Sequence, residues 1–439
     1  MNRSKQFFLL FGLSLIFIQK GLKAQNLEGD LSVIVVHNKD HTVDYHYFLK
    51  NEEGNLLKLL GEITAKLPKM SHIPIAVDLK NKKLKSFKLK IDLSKKHEEK
   101  LALKQRPDEH KTVMIMIDTP QHKASEHSSL SSLKKVFLEI EQFYSKASYG
   151  QISFPYDEAA IYGPYLISSV PSTCDKYEEL SWAALEKAEQ YGLDSSAYQH
   201  KIFILPSDLG CDWTGLAEVG CDHKHCQVWI ASPPDPSLYI HELGHNLGFE
   251  HASAYGHKNG KEGLLLEYGD YSDPMGNPNH PAQFNPPHLI QAGWYEALKP
   301  DWVETVEHSF EGIKLLRALS DLNGDEPNAL KFSGKKGLDY YLAYRKNIGL
   351  DKKISGRYRN KLVLYSWDGK KNTIELKELA LDEAYWLKEE GLTINFKEVE
   401  GAVAFVEIQF AAHKNNYNCF ECNFFDSNFS CFGKLFSIF

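Results

Sequence analysis

Three histidines and a glutamate stand close together in His241-Glu242-Leu243-Gly244-His245-Asn246-Leu247-Gly248-Phe249-Glu250-His251. On an α-helix His241 and His245 share one face, about 6 Å apart along the axis. Both imidazoles can then reach one zinc ion at about 2.1 Å. Glu242 follows the first histidine, so its carboxylate leans beside the metal and can take a proton from water there. If the helix simply continued, His251 would lie roughly 9 Å beyond His245. Gly248 offers the way out, because glycine adopts φ > 0 at little cost and ends helices. The chain can turn there and bring His251 back as a third ligand. A fourth coordination position is left for water, as in catalytic rather than structural zinc sites. The bland alternative is an exposed His-rich helix without metal. It leaves Gly248 and His251 at these spacings to chance.

The elements around this stretch must position those side chains. Asp235 reads as an N-cap with Pro236 in the first turn, and the helix runs over residues 237–247. Leu238, Ile240 and Leu243 point toward a core. Residues 113–117 form an uninterrupted apolar run, as buried strands do, and residues 201–206 read as another strand. A strand is also expected at 152–154. Helical spacing marks residues 130–144 and 177–191, the second ended by Gly192. Two short strands, 215–219 and 227–230, precede the motif. Gly215, Leu216 and Ala217 are the candidate edge that pairs with an extended peptide substrate. Met275 lies in a turn-rich segment downstream. On physical grounds alone a lone methionine reads as core filler.

At 439 residues the chain has room for two or three domains. Its 43% hydrophobic and 25% charged residues are ordinary globular values. A net charge of −7, with no basic cluster interleaved with aromatics, argues against a nucleic-acid partner. Residues 1–24 read as a secretory signal, with Arg3 and Lys5 ahead of an apolar run at 7–18 and a cut before Gln25. That run is too short to span a membrane, and no other stretch is long enough. The mature protein is therefore expected to be secreted and extracellular, without a transmembrane segment. Residues 25–108 read as a β-rich unit with strand runs at 31–36 and 43–49, closed by a charged linker through Arg106-Pro107-Asp108. That linker suits proteolysis, which makes the unit a candidate propeptide of a zymogen; a permanent N-terminal domain is the alternative. Residues 109–298 read as the α/β catalytic domain, and 299–439 as a β-rich C-terminal domain with a Cys-containing tail.

Seven cysteines fit disulfide bonds in an exported protein. Cys174, Cys211, Cys221 and Cys226 allow three pairings. The segment Cys221 to Cys226 suits a small disulfide-closed hairpin better than a second metal site. Cys419, Cys422 and Cys431 leave one odd thiol. Asp321-Leu322-Asn323-Gly324-Asp325 resembles the start of a calcium loop. It lacks the distal glutamate, so Ca2+ is only weakly supported and a surface turn is preferred.

With Met275 added, the zinc motif resembles the metzincin zinc endopeptidases, in which a Met-turn follows the long motif. The local text is similar to the gametolysin family: His251-Ala252, Tyr268-Gly269-Asp270 before Met275-Gly276, Phe284-Asn285-Pro286-Pro287-His288 leading to Gly293-Trp294, and the segments 143–153 and 340–345. The resemblance implies a mixed sheet with backing helices and an active-site helix, flanked by β-rich domains. It also implies that Met275 forms the hydrophobic base of the metal site. Two departures stand out. No tyrosine stands two residues after Met275, which leaves Tyr268 or Tyr271 as the phenol of the site. Residues 25–110 contain no cysteine, so no thiolate from that unit can block the metal; inhibition there would need another ligand or steric cover. The expected activity is a zinc-dependent endopeptidase acting on protein or peptide substrates in extended conformation. The competing class is a zinc-containing module that binds a surface glycan or protein without cleaving it. An intact Glu242 speaks against that class, since a structural site needs no such carboxylate.

Overall fold

The computed structural model describes residues 26–38, 42–50, 56–59, 73–78, 83–87, 107–157, 160–220, 225–258, 261–277, 281–370 and 372–411. The expected leader, most of the linker before Asp108, Cys221 and the C-terminal cysteines lie outside these residues. No helix among the described residues is long and apolar enough to cross a membrane.

Strands β1 (Asn26–Asn38), β2 (Val43–Lys50), β3 (Leu56–Leu59), β4 (Ile73–Asp78) and β5 (Lys83–Phe87) come first. They are followed by β6 (Asp108–Glu109), β7 (Thr112–Asp118), helix α1 (Leu130–Ala147), β8 (Ile152–Ser153), β9 (Ile161–Leu166) and helix α2 (Tyr177–Gln190). Next are β10 (His200–Ile204), β11 (Trp213–Glu218), β12 (Cys226–Ile230) and helix α3 (Pro236–Asn246). One ten-stranded mixed sheet runs β3-β2-β1-β11-β12-β10-β7-β9, with β4 on β1 and β5 on β4. The strand expected at 152–154 shrinks to β8, which pairs with β6 outside this sheet. The edge beside β7 is taken instead by β9, whose Pro164 lacks an N–H to donate and so suits an edge.

Side-chain alternation assigns the two faces of the sheet. Met114, Met116, Ile202 and Ile204 pack with Phe137 and Ile140 of α1 and Tyr239 and Leu243 of α3. Val113, Ile115, Ile117 and Phe203 pack on the other face with Leu180, Ala184 and Ala188 of α2. Covering both faces explains the apolar runs 113–117 of β7 and 202–204 of β10. Burying a side chain such as Phe137 stabilises by about 1.5–3 kcal/mol. The same alternation governs β1: Ile34 and Val36 face the α2 side, and Val35 faces the α3 side. β1 runs antiparallel to β11, with Val35 opposite Ala217 and His37 opposite Gly215. His37 therefore faces α3. The side of β11 expected to receive a substrate carries β1. Cys174 and Cys211 form a disulfide beside α2, and Cys226 is also disulfide-bonded.

After α3 come β13 (Ala252–Lys258), β14 (Lys261–Leu266), helix α4 (Pro286–Ala292), β15 (Val303–Thr305), β16 (Glu311–Arg317), β17 (Ala329–Ser333) and β18 (Asp339–Arg345). The last strands are β19 (Lys361–Trp367), β20 (Thr373–Leu379), β21 (Ala384–Leu387), β22 (Leu392–Glu400) and β23 (Val403–Phe410). They form a seven-stranded sheet, β14-β13-β20-β19-β18-β17-β15, and a four-stranded sheet, β16-β23-β22-β21. Leu342, Leu364, Ile394 and Val406 share the core between them. The strand that leaves the His241–His251 motif is held by this half of the chain. Ala252 pairs in parallel with Thr373, and the Thr373 N–H donates to the His251 carbonyl at 3.0 Å. Asp321 accepts from Arg317 Nη1 at 2.9 Å and from the Asn323 N–H at 3.0 Å, so a guanidinium faces the suggested calcium loop.

Candidate active site

Helix α3 is built to end where it does. The Asp235 carboxylate accepts the Ser237 N–H at 3.0 Å, and Pro236 opens the first turn. Leu247 is the C-cap and Gly248 follows at φ +93°. The Gly248 N–H donates to the His245 carbonyl at 2.8 Å and the Phe249 N–H to the Gly244 carbonyl at 3.0 Å. This pair of bonds is a Schellman closure, which a left-handed glycine allows. The helix thus stops one residue short of the expected 247, and the chain doubles back toward His251.

The turn brings three ring nitrogens together. His245 Nε2 lies 3.2 Å from His241 Nε2 and 3.1 Å from His251 Nε2. Each Nδ1 is turned outward to an acceptor: His241 to the Pro274 carbonyl at 2.8 Å, His245 to the Phe249 carbonyl at 2.8 Å, and His251 to Glu267 Oε1 at 3.1 Å. An Nδ1–H that donates outward leaves Nε2 as a bare lone pair. Three lone pairs cannot hydrogen-bond one another, so they require an electrophile at their common point. A tetrahedral zinc with bonds of about 2.1 Å would set the nitrogens about 3.4 Å apart. The residues fit such an ion. Burial holds the His241 imidazolium down, to about 4, and the His245 imidazolium well below the usual histidine range. Neutral imidazole is the form that ligates a metal.

Glu242 is fully buried, and neither carboxylate oxygen has a hydrogen-bond partner among the described residues. Burial pushes its carboxyl up to about 8, against the opposing pull of His241. Room for this carboxylate comes from Gly215, whose missing Cβ would overlap it. Gly215 thus shapes the site from β11, which β1 and β12 flank and which is therefore not the free edge expected, while Leu216 turns to the α2 side and Ala217 to the α3 side. Met275 is fully buried against Gly244, the residue before His245. Its loop is tied by Asp273, which accepts the Met275 N–H at 2.7 Å, the Asn285 N–H at 2.6 Å and His288 Nδ1 at 3.0 Å. Burial alone would raise the Asp273 pKa; His288 and the backbone donors outweigh it and hold the carboxyl below the usual range. Of the two tyrosines considered, Tyr271 is 41% exposed, whereas Tyr268 is packed into the site with its ring 4.6 Å from that of His251.

Support arrives from distant segments. Tyr144 on α1 donates to the Ile240 carbonyl at 2.6 Å. Asn246 donates to the Glu218 carbonyl at 2.7 Å and pairs with His200 Nδ1 at 2.9 Å, tying α3 to the sheet. Arg345 on β18 is fully buried; it donates to both Asp351 oxygens and to the Ser272 and Gln283 carbonyls, each at 2.8 Å. It thereby clamps the loop that carries Met275. A further histidine, His37, reaches the centre from β1. Its Nδ1 lies 2.5 Å from the Tyr268 hydroxyl and its Nε2 lies 3.3 Å from Glu242 Oε2. Tyr45 on β2 donates to Glu250 Oε2 at 2.7 Å, a second contact of this hairpin with the motif. The signal for His37 is its position in β1: it follows Val33 and Val35 on the inward face of an apolar strand. A cavity of about 270 Å³ opens between Thr214, Leu238, Tyr268 and Pro274 beside Glu242.

A histidine cluster able to hold a metal, set beside an unpartnered buried carboxylate, is the equipment of a metal-dependent hydrolase. Residues 129–379, more than half of the chain, match the gametolysin peptidase M11 family. The chain belongs to this family, which is a family of metallopeptidases. A stretch of 118 residues is 29% identical to the autolysin of Chlamydomonas reinhardtii, covering 25% of this chain and 17% of that protein. The match thus spans less than a fifth of that relative's length.

Proposed function

We propose that the protein is an exported zinc endopeptidase of the metzincin kind that cleaves extended segments of extracellular proteins. The observation that carries this reading is the convergence of three outward-anchored imidazoles beside the unpartnered Glu242 carboxylate. His241, His245 and His251 would hold the ion. Zinc at that point would supply Lewis acidity, acidifying water and polarising the scissile carbonyl. Glu242 takes the proton from the attacking water and later returns it to the leaving amine. Its burial favours the first transfer, because a carboxylate stripped of solvent and of hydrogen-bond donors is a stronger base. Tyr268, half-buried beside His37 and His251, would donate to the developing oxyanion once its bond to His37 is released. β11 supplies backbone groups for an extended substrate. Family membership and the autolysin relative support peptide-bond hydrolysis, and the disulfide of Cys174 with Cys211 supports export. Residues 25–108 are read as a propeptide, and its removal as activation of a zymogen.

The test is cleavage of unfolded casein by the processed protein, with metal content measured in parallel. Glu242→Ala is expected to keep one zinc per chain and to lose activity by on the order of 10²–10⁴ or more. Chelators abolish cleavage and serine-directed reagents leave it intact. Full activity in the purified variant, or cleavage that survives chelation, would sink this reading.

A further inference from the structure

We infer that His37 is a fourth protein ligand of the metal, delivered by a strand that at the same time fills the substrate edge of β11. This rests on the metallopeptidase reading above and adds a residue and a segment to it. The first support is position. The ring centroid of His37 lies 4.8, 4.9 and 5.0 Å from those of His241, His245 and His251. Those three lie 4.9, 4.8 and 5.6 Å from one another. Four rings so nearly equidistant occupy the corners of a tetrahedron, and His37 holds the corner that a catalytic site leaves to water. One ring nitrogen from each of the four lies within 4.8 Å of all the others.

The second support is hydrogen bonding. His37 Nδ1 meets the Tyr268 hydroxyl at 2.5 Å, which anchors that nitrogen as the other three histidines anchor theirs. Its Nε2 has no hydrogen-bond partner, although His37 is only 7% exposed. The 3.3 Å approach to Glu242 Oε2 is not aligned as a hydrogen bond. A buried ring nitrogen without a hydrogen-bond partner, set beside a cluster whose Nε2 atoms lie 3.2 and 3.1 Å apart, is accounted for by an ion they share.

The third support is how His37 gets there. β1 pairs with β11 from Ile34 opposite Glu218 to His37 opposite Gly215. Gly215 has no Cβ, which leaves space for the Glu242 carboxylate beside the strand that His37 sits on. The register shifts immediately after His37 and the pairing resumes with Asn38 opposite Trp213, so β1 covers β11 on both sides of Gly215. One segment therefore blocks the two things a substrate needs, the open position on the metal and the free backbone of β11. The chain with β1 in place is latent, and the ligand that closes it is an imidazole where a thiolate is absent.

The experiment uses the full chain with its metal replaced by cobalt(II). Cobalt shifts the Nδ1–H protons of directly bonded imidazoles far outside the ordinary proton range. Wild type is expected to show four such exchangeable signals; His37→Ala and His37→Gln are expected to show three. Both variants should lose zinc to a competing chelator more readily than wild type. The loss should be at least the roughly 10–100-fold that follows removal of an outer-shell partner. Acetohydroxamate should perturb the cobalt spectrum of His37→Ala and leave that of wild type unchanged. Three signals in wild type, or equal zinc affinity in wild type and a folded variant, overturns the inference while the metallopeptidase reading stands. Failure of wild type to bind either cobalt or zinc overturns that reading as well.

Discussion

The Glu242 carboxylate lies against Gly215, and a Cβ on Gly215 would overlap both Oε1 and Cδ of that side chain. Strand β11 and the proposed general base are therefore fitted to each other. Gly215→Ala should leave fold and metal content intact, because only the flexible end of Glu242 has to move. Displacing a catalytic group by about 1 Å costs on the order of 10²-fold in rate. Steady-state kinetics of the processed enzyme, with zinc measured in the same samples, checks this. An unchanged kcat/KM would show that the carboxylate need not lie against the strand.

Gly244, one turn before the helix ends, touches the sulfur of buried Met275. Alanine is the better helix former by about 1 kcal/mol. Here the added methyl would enter a filled core, where overpacking costs about 1–3 kcal/mol. Gly244→Ala should therefore lower the urea midpoint rather than raise it. Pairing it with Met275→Ala should recover part of the loss, since the two substitutions share one space.

Arg345 makes a buried double hydrogen bond to Asp351 and also holds the Ser272 and Gln283 carbonyls. Arg345→Met would leave Asp351 charged and unpaired in the core. Breaking a buried pair from one side costs about 3–5 kcal/mol. Equilibrium unfolding should show that loss, and the double variant Arg345→Met with Asp351→Leu should lose less than the single one.

His200 is buried among His110, Lys201 and the Asn246 side chain. Burial, helped by the nearby His110, holds its imidazolium down to about 3 in the folded chain. In the unfolded chain the value is about 6.5. A depressed folded value means that the contribution of neutral His200 is fully present above about pH 6.5. It is lost as pH falls from there toward 3, by up to about 1.4 kcal/mol per pH unit. His200→Asn keeps a donor for Asn246 and removes the titration. Urea midpoints at pH 7.5 and pH 5 should then fall less for the variant than for wild type. Equal falls would mean that other groups set the acid sensitivity.

The motif around His241 shows which parts of the site are local properties. Two histidines share a face because of helix periodicity, and Gly248 permits φ +93° because it lacks a Cβ. Asp235 caps the helix through a bond to a residue two positions away. The buried strands β7 and β10 are legible for a similar reason: unbroken apolar runs suit a sheet covered on both faces. The weak strand at 152–154 was harder to place, because so short a segment takes its partner from whatever edge the fold brings near. β9 carries Gly163 and Pro164, which hide an edge strand from periodicity.

Three decisions belong to the tertiary structure. Tyr268 and Tyr271 stand in one turn-rich segment, and nothing in their spacing says which enters the site; the folded loop sets the first ring 4.6 Å from that of His251 and leaves the second 41% exposed. Arg345 reads as the polar end of a strand until Asp351, Ser272 and Gln283 gather around its guanidinium. His37 is the furthest case. Alternation along β1 puts it on the face of Val35, but which face meets α3 depends on the register of β1 against β11. That register is set jointly by two strands far apart in the chain, and a slip of one residue would turn His37 away from the other three histidines. The amino-acid order alone therefore determined a three-histidine cluster and its base. Whether a fourth histidine closes that cluster was decided only by strand pairing, because long-range register is a property of two segments together and of neither alone.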